Sequence, residues 1–536
     1  MACCDRYGGR LSPNDKYCDA SGRIVAPIRQ KAPPHPTRQR LGAFLQLTSH
    51  DATIDQGRSP LVKSKRTAAL RVEGERRKTR YIAYFLMVAS YAAIGLFFVL
   101  AYSLIEPYVK IPMVELVIPV SNVLTLPSQE PVRVQPLIWY LFIAFTAMTF
   151  VNELSYAPLA VYHELVQKRR HRAFSGQWRP IVSIIVPAHN EEKVIEGTLQ
   201  TLFEISYPNR EIIVVNDGST DRTEQIVKPY ALKGKLSLIN LPHGGKTLAM
   251  NAALRIARGE LIVVIDADSH PERKAVSNAV SHFEDPSVVA VAGNVRVGNR
   301  VKLLTKLQAL EYLRGINLRR RAFDLLNCVD VIPGAMGIFR KDAISAVGSY
   351  DTGTVTEDMD LTMKLLKPRD TLSYEPNCIS YTEAPETIRD LIRQRIRWYG
   401  GTLQTLVKHR GHWWRHGTLS AIFIPYVYLS MFFVPTVEIA ALALGVFWAV
   451  RGLWFGLVGV IALSVAYEFI SSFVAIYLDK DDMRLIWVTI PYVIFYRYLV
   501  DIARFQAFYA AFKHNVRWTR AERYGGLEKK IEITTR

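Results

Sequence analysis

The chain has 536 residues and a formal net charge of +19, with 49% hydrophobic and 21% charged residues. That length holds roughly two to four domains, and the apolar residues fall in long blocks, which excludes an ordinary basic soluble protein. Its cysteines (Cys3, Cys4, Cys18, Cys328, Cys378) exclude a disulfide framework.

The first segment, 1–27, contains "CDRYGGRLSPNDKYCDASGR", which resembles a zinc ribbon that has lost half its ligands. Cys4 and Cys18 take two ligand places, while Tyr7 and Ser21 stand at the other two. A structural zinc site closes with four ligands, so the segment is expected to be metal-free. Residues 28–80 read as a basic linker, Pro- and Arg-rich from Ile28 to Arg40. The first apolar block begins too late and runs too long for a signal peptide.

Segment 81–165 is predicted to hold two membrane spans. Tyr81 to Ile105 is a 25-residue uncharged run, and a span needs about 20 residues at ~1.5 Å each. Pro136 to Val151 is the second, continuing to "LSYAPLAVY". The basic segment before them and "QKRRHR" (Gln167 to Arg172) after them place both flanks on the cytoplasmic side. Segment 173–415 is therefore expected in the cytoplasm.

Within it, short β-branched runs alternate with helical stretches. "IVSIIVPAHNEE", "REIIVVNDGSTD", "KLSLINL" and "GELIVVIDADSH" read as strands, with helices over Lys193 to Ile205 and Thr247 to Ala257 between them. This pattern predicts a Rossmann-like α/β domain with a mostly parallel sheet. Ligands bind outside the carboxyl ends of such strands, so Asn216, Asp217, Asp266 and Asp268 are expected to line one crevice.

Each cluster has a plain reading and a chemical one. Asp266 and Asp268 in "DAD" are either turn aspartates or hard oxygen ligands for Mg²⁺ or Mn²⁺. Asp217 in "VNDGSTDRT" either caps a turn or accepts hydrogen bonds from a nucleotide base or ribose. Lys246 in "HGGKTLAMN" opens a helix at a glycine turn, suited to a diphosphate, and no GxxxxGK[ST] loop is present. Thr356, Glu357, Asp358 and Asp360 in "VTEDMDL" either cap a helix or include a general base. In "QRIRW", Gln394, Arg397 and Trp398 share one helical face at i, i+3 and i+4, beside an apolar face of Ile388, Leu391, Ile392, Ile396 and Tyr399. A plain amphipathic helix at a membrane surface accounts for the second face, not the first.

The C-terminal segment 416–513 has three apolar runs, Ser420 to Val450, Leu453 to Leu478 and Leu485 to about Phe512, before a basic tail, 514–536. Three crossings would put that tail outside, against the charge rule. Either the first run breaks at Pro435 or one run is re-entrant or interfacial, and the tail is expected inside.

In this order and spacing, "VPAHNEE", "VNDGSTD", "IDADS", "TED" and "QRIRW" resemble the processive family 2 glycosyltransferases, which include the synthases of cellulose, chitin, hyaluronan and poly-β-1,6-N-acetylglucosamine. The resemblance covers about Arg179 to Gly401. It implies a GT-A fold flanked by transmembrane helices in the plasma membrane, a UDP-sugar donor, Mg²⁺ or Mn²⁺, and inversion at the anomeric carbon. It further implies that Asp217 and Asp266 hold the uridine part and Asp268 the metal. Asp358, beside Thr356 and Glu357, becomes the general base, Arg397 faces the diphosphate, and Gln394 and Trp398 face the acceptor. "IPGAMGIFRKDAI", "GTVTEDMDLTMKL" and "YEPNCI" are most similar to poly-N-acetylglucosamine synthases, so UDP-N-acetylglucosamine is the expected donor by resemblance alone. The expected partners are that donor, a growing polysaccharide and the lipid bilayer, with no nucleic acid. The tail is too short for an appended regulatory domain, which leaves regulation to the acceptor or to a small membrane subunit. The alternatives are a non-processive enzyme with a lipid-phosphate acceptor, another processive synthase, and a non-catalytic nucleotide-sugar binder.

Overall fold

The computed structural model describes residues 74–93, 96, 155–173, 178–366, 370–412, 419–450, 452, 454–513, 516 and 525. The zinc-ribbon-like segment, nearly all of the linker, the Pro136 to Val151 run and most of the tail lie outside them. Residues 74–93 are helical, and the described helix Tyr156–Ala173 packs on the α/β domain: the Gln167 amide donates to the Tyr374 carbonyl at 2.8 Å.

The runs predicted as strands form β1 (Val182–Ala188), β2 (Arg210–Asp217), β3 (Ser237–Leu241) and β4 (Leu261–Val264). They pair in parallel in the order β3-β2-β1-β4. Every residue of β1 is buried, and alternate residues serve opposite faces: Ile185 joins one core, Ile184 and Val186 the other. Helices cover both faces, which is why these strands are continuously apolar rather than alternating.

The second half of the sheet carried no strand prediction. β5 (Ser269–Pro271), β6 (Val288–Val297), β7 (Gly337–Arg340) and β8 (Thr371–Thr382) extend it to the order β3-β2-β1-β4-β7-β6-β8-β5. β7 runs antiparallel between β4 and β6, while β8 is parallel to β6 with two register shifts. A four-residue β7 and a β8 broken by Pro376 leave weak local signals. This mostly parallel sheet is a GT-A-like fold, and its strand order reverses at β1 and β4, where the crevice opens.

Three helices, Ala421–Phe447, Leu457–Asp479 and Met483–Phe512, are long and apolar enough to cross a membrane. The first runs straight through Pro435, so the break considered there is absent. Proline lacks an N–H and crowds the carbonyl four residues back, and the wider π-helical turn at Leu429–Phe433 supplies the room. The second ends on the α/β domain: the Asp479 carboxylate pairs with buried Arg321 at 2.8 Å and takes Asn294 and Asn317 at 3.3 and 3.4 Å. The third packs Leu485, Ile486, Tyr492, Tyr496 and Val500 against Leu307, Leu310, Leu313 and Leu391 of that domain. Beyond its end, Val516 lies against Gly400.

Candidate active site

Ten of the twelve candidate residues, all but Asn216 and Asp360, line one cavity of about 1040 Å³. At one end stands the tip of β2. Gly218 (φ +64°) turns the chain so tightly that a Cβ there would lie 2.5 Å from the His243 nitrogen. That close approach places the Asp217 carboxylate beneath the following loop, where it accepts from Gly244 N at 2.8 Å and Gly245 N at 2.9 Å. Asp217 thus holds the "HGGK" turn and faces the cavity, while Asn216 is turned away from it, bonding Asn240 and the Ser219 amide.

Lys246 begins the helix Lys246–Ile256, and its ammonium sits 2.6 Å from Asp266 and 3.0 Å from Glu357. The two acids keep it charged in spite of burial. Next to Glu357, Asp358 is raised in pKa to about 6, by burial first and by repulsion from Glu357 second, with Lys246 opposing. A carboxylate with that value is ionised near neutrality yet a far stronger base than an exposed aspartate.

Asp268 is 4% exposed, with the hydroxyls of Ser269 and Thr382 at 3.4 and 3.5 Å. A buried carboxylate in the wall of the cavity suits a hard divalent cation such as Mg²⁺ or Mn²⁺. Asp266 fits less well, since Lys246 occupies it. Among the described residues, the three-residue group whose ligand atoms lie within 4.8 Å of one another is a different one, His189, Asp217 and His243. Its two rings stack at 4.1 Å, and their Nδ1 atoms face Asp217 oxygens at 2.7 and 3.0 Å.

The side of the cavity opposite Asp217 is built by two interlocked helices. The helix Ile388–Lys408 starts with a Thr387 cap accepting from Asp390 N at 3.2 Å. It crosses the start of Glu357–Leu366 at Gly401, where a Cβ would lie 2.5 Å from Thr356 Cγ2. The Thr356 hydroxyl sits 3.3 Å from Thr405 Oγ1, and Val355 N donates to Gln404 at 3.2 Å. Asp360 does not face the cavity. It closes the interlock, taking His409 at 2.7 Å and Lys408 at 2.9 Å, and these partners hold its carboxyl down at about 2 against the opposing effect of burial. Gln394, Arg397 and Trp398 reach the cavity from the predicted face, with Trp398 tilted against Tyr312 at 6.2 Å.

From Trp398 the same cavity continues between the apolar helices, past Ser471 and three ion pairs. Glu438 meets Arg497 at 2.6 Å, Glu468 meets Arg314 at 2.9 Å, and Asp501 meets Arg504 at 2.8 Å. Ionisable groups between apolar helices persist only when paired or facing a cavity.

Residues 183–346 match the family described as "Glycosyl transferase family 2", so the chain carries a family 2 glycosyltransferase domain. Its curated relatives include the poly-beta-1,6-N-acetyl-D-glucosamine synthase of Staphylococcus epidermidis, 31% identical over 246 residues, which are 46% of this chain and 58% of that protein. The same-named enzyme of Staphylococcus aureus (strain COL) is 31% identical over 229 residues, 42% of this chain and 56% of that protein. The chain thus spans just over half the length of the curated relatives it matches. Among solved structures, a mannosyltransferase from Pyrobaculum calidifontis in complex with GDP-Man and Mn²⁺ is 22% identical, with a TM-score of 0.47 covering 70% of this chain and 98% of that one.

His189, His243, Glu311, Tyr312 and the charges between the apolar helices also line the cavity, and none was a sequence candidate. The charges between the apolar helices were legible in principle, because Glu438 and Glu468 interrupt otherwise apolar runs. Glu311 and Tyr312 left no such signal.

Proposed function

We propose that this protein is an inverting, processive synthase that polymerises UDP-N-acetylglucosamine and passes the polysaccharide across the plasma membrane. The observation that carries this reading is the single cavity joining Asp217, Asp268 and Asp358 to Trp398 and then to polar side chains between apolar helices. A transferase acting on a small acceptor needs no such continuation. The donor follows from the name of the relatives.

In this reading the catalytic domain is cytoplasmic and the chain multi-pass. The Met483–Phe512 helix lies along the membrane surface, because its apolar residues pack on the catalytic domain and the chain beyond it meets Gly400. Two crossings by Ala421–Phe447 and Leu457–Asp479 then leave the basic tail inside, in accord with the charge rule.

Asp217 orients the nucleoside, and Arg397 faces the diphosphate. Asp358 takes the proton from the acceptor hydroxyl as its oxygen attacks the anomeric carbon and UDP departs. A Mg²⁺ or Mn²⁺ ion held by Asp268 would neutralise charge on the diphosphate. Lys246, engaged with Asp266 and Glu357 in this structure, exchanges one acid for a phosphate oxygen when donor binds. The indole of Trp398 suits the C–H face of a sugar and holds it without a directional bond, so the chain can advance by one unit per cycle.

The decisive test incubates the protein in membranes with a panel of UDP-sugars and either metal, then digests the product with linkage-specific hydrolases. Long polymer from UDP-N-acetylglucosamine is the expected result. A lipid carrying one sugar would overturn the reading in favour of a lipid-phosphate acceptor. The pH profile is a second check. Asp358 must be ionised, so activity should fall as pH drops through about 6. Glu357→Gln removes the adjacent negative charge, lowers the Asp358 pKa and should move that acid limb to lower pH. A limb that stays in place would exclude Asp358 as the titrating group.

A further inference from the structure

Of the arginines in the helix Ile388–Lys408, only Arg395 is buried, and its side chain is 0% exposed. It does not reach the cavity; it lies behind Trp398. A guanidinium so enclosed is costly to desolvate unless its donors are paired. Arg395 gives Nη1 to Gln394 Oε1 at 2.6 Å and Nη2 to Glu311 Oε2 at 2.5 Å. The Tyr496 hydroxyl, on the apolar helix Met483–Phe512, donates to that same Glu311 oxygen at 2.5 Å and stands 3.4 Å from Arg395.

The guanidinium also lies over the Trp398 ring, with its Cζ 4.2 Å from the ring centroid. Tyr312, next to Glu311, meets the same indole at 51°. The Arg395 guanidinium thus stands over the Trp398 ring and Tyr312 lies tilted beside it, while Trp398 itself lines the cavity. An aliphatic side chain would fill the space behind Trp398 at less desolvation cost. What arginine adds is a flat, two-pronged support that fixes the plane of the indole.

We propose that Arg395 is a positioning residue: with Glu311 and Tyr496 it fixes the plane of Trp398, and so joins the register of the acceptor sugar to the seat of the Met483–Phe512 helix. This rests on the reading of Trp398 as the acceptor platform.

The test uses the full-length protein in lipid nanodiscs. It measures product length, KM for the UDP-sugar, UDP binding and thermal stability for Arg395→Met, Arg395→Lys, Tyr496→Phe, Trp398→Ala and the Arg395→Met/Trp398→Ala double variant. Loss of a desolvated support of this kind should shorten the product roughly tenfold, with donor KM and UDP binding unchanged. Arg395→Lys retains a charge for Glu311 but not the planar stack, so it should recover stability without product length. Tyr496→Phe should shorten the product in the same direction and by less. The double variant should make product no shorter than Trp398→Ala alone, because Arg395 acts through that ring. Effects that multiply, or a loss of stability and UDP binding with product length intact, would overturn the proposal alone. Product of normal length from Trp398→Ala would overturn the acceptor platform itself, and this inference with it. If Arg395→Met does not fold, Tyr496→Phe combined with Trp398→Ala asks the same question.

Discussion

Asp358→Asn should lower turnover by about 10²- to 10⁴-fold, the usual range for removing a general base, while UDP binding is retained. The change is nearly isosteric: the amide oxygen can still accept the Met359 N–H that Asp358 now takes at 2.8 Å. It also relieves repulsion with Glu357, so the Lys246 pairs with Asp266 and Glu357 should survive. A loss of activity therefore cannot be assigned to collapse of the donor side. The measurement pairs initial rates of UDP release with calorimetric UDP binding on the same preparation. Full activity in Asp358→Asn would move the base elsewhere, with Glu357, 3.0 Å from Lys246, as the next carboxylate to replace.

Gly401→Ala should be nearly as damaging, although it adds one methyl group far from any reacting atom. Its Cβ would lie 2.5 Å from Thr356 Cγ2, 2.7 Å from Thr356 Oγ1 and 2.9 Å from Val355 Cγ2. Thr356 and Val355 are themselves held by Thr405 and Gln404 of the same helix, so neither can give way alone. The helices must part, at about 1–3 kcal/mol for an overpacked contact, and Asp358 moves with Thr356. A displacement of ~1 Å in a catalytic group can cost about 10²-fold in rate. The expected result is a rate loss of that order, a lower thermal midpoint and normal UDP binding. Wild-type rate in this variant would show that the crossing tolerates a methyl group and does not place the base.

These two substitutions mark how unevenly the site could be read from the chain. The place of Asp358 in the cavity was legible because "TED" follows a recognisable order of motifs. Gly401 was not, because nothing in "WYGG" says which segment comes within van der Waals distance of it. The four strand ends were legible for a local reason: a buried parallel strand is continuously apolar, and the first polar residue after it marks the crevice. β7 and β8 escaped because a four-residue strand and a bulged one carry little pattern of their own and are made by pairing with distant partners. The interruption considered at Pro435 failed because a π-helical turn upstream absorbs the proline.

Residues close in the chain therefore announced themselves through period and order: the apolar blocks, the parallel half of the sheet, and the one helical face shared by Gln394, Arg397 and Trp398. Contacts between segments far apart in the chain did not. Lys246 bridging Asp266 and Glu357, Thr356 seated on Gly401, and Arg395 held by Glu311 and Tyr496 each require through-space approach, and Coulombic and steric forces act over a few ångströms with no regard for sequence separation. The same reason explains the last apolar helix. Its composition states that one side must be buried, and only the packing of Leu485, Tyr492 and Val500 on Leu307, Leu310 and Leu391 says what covers it.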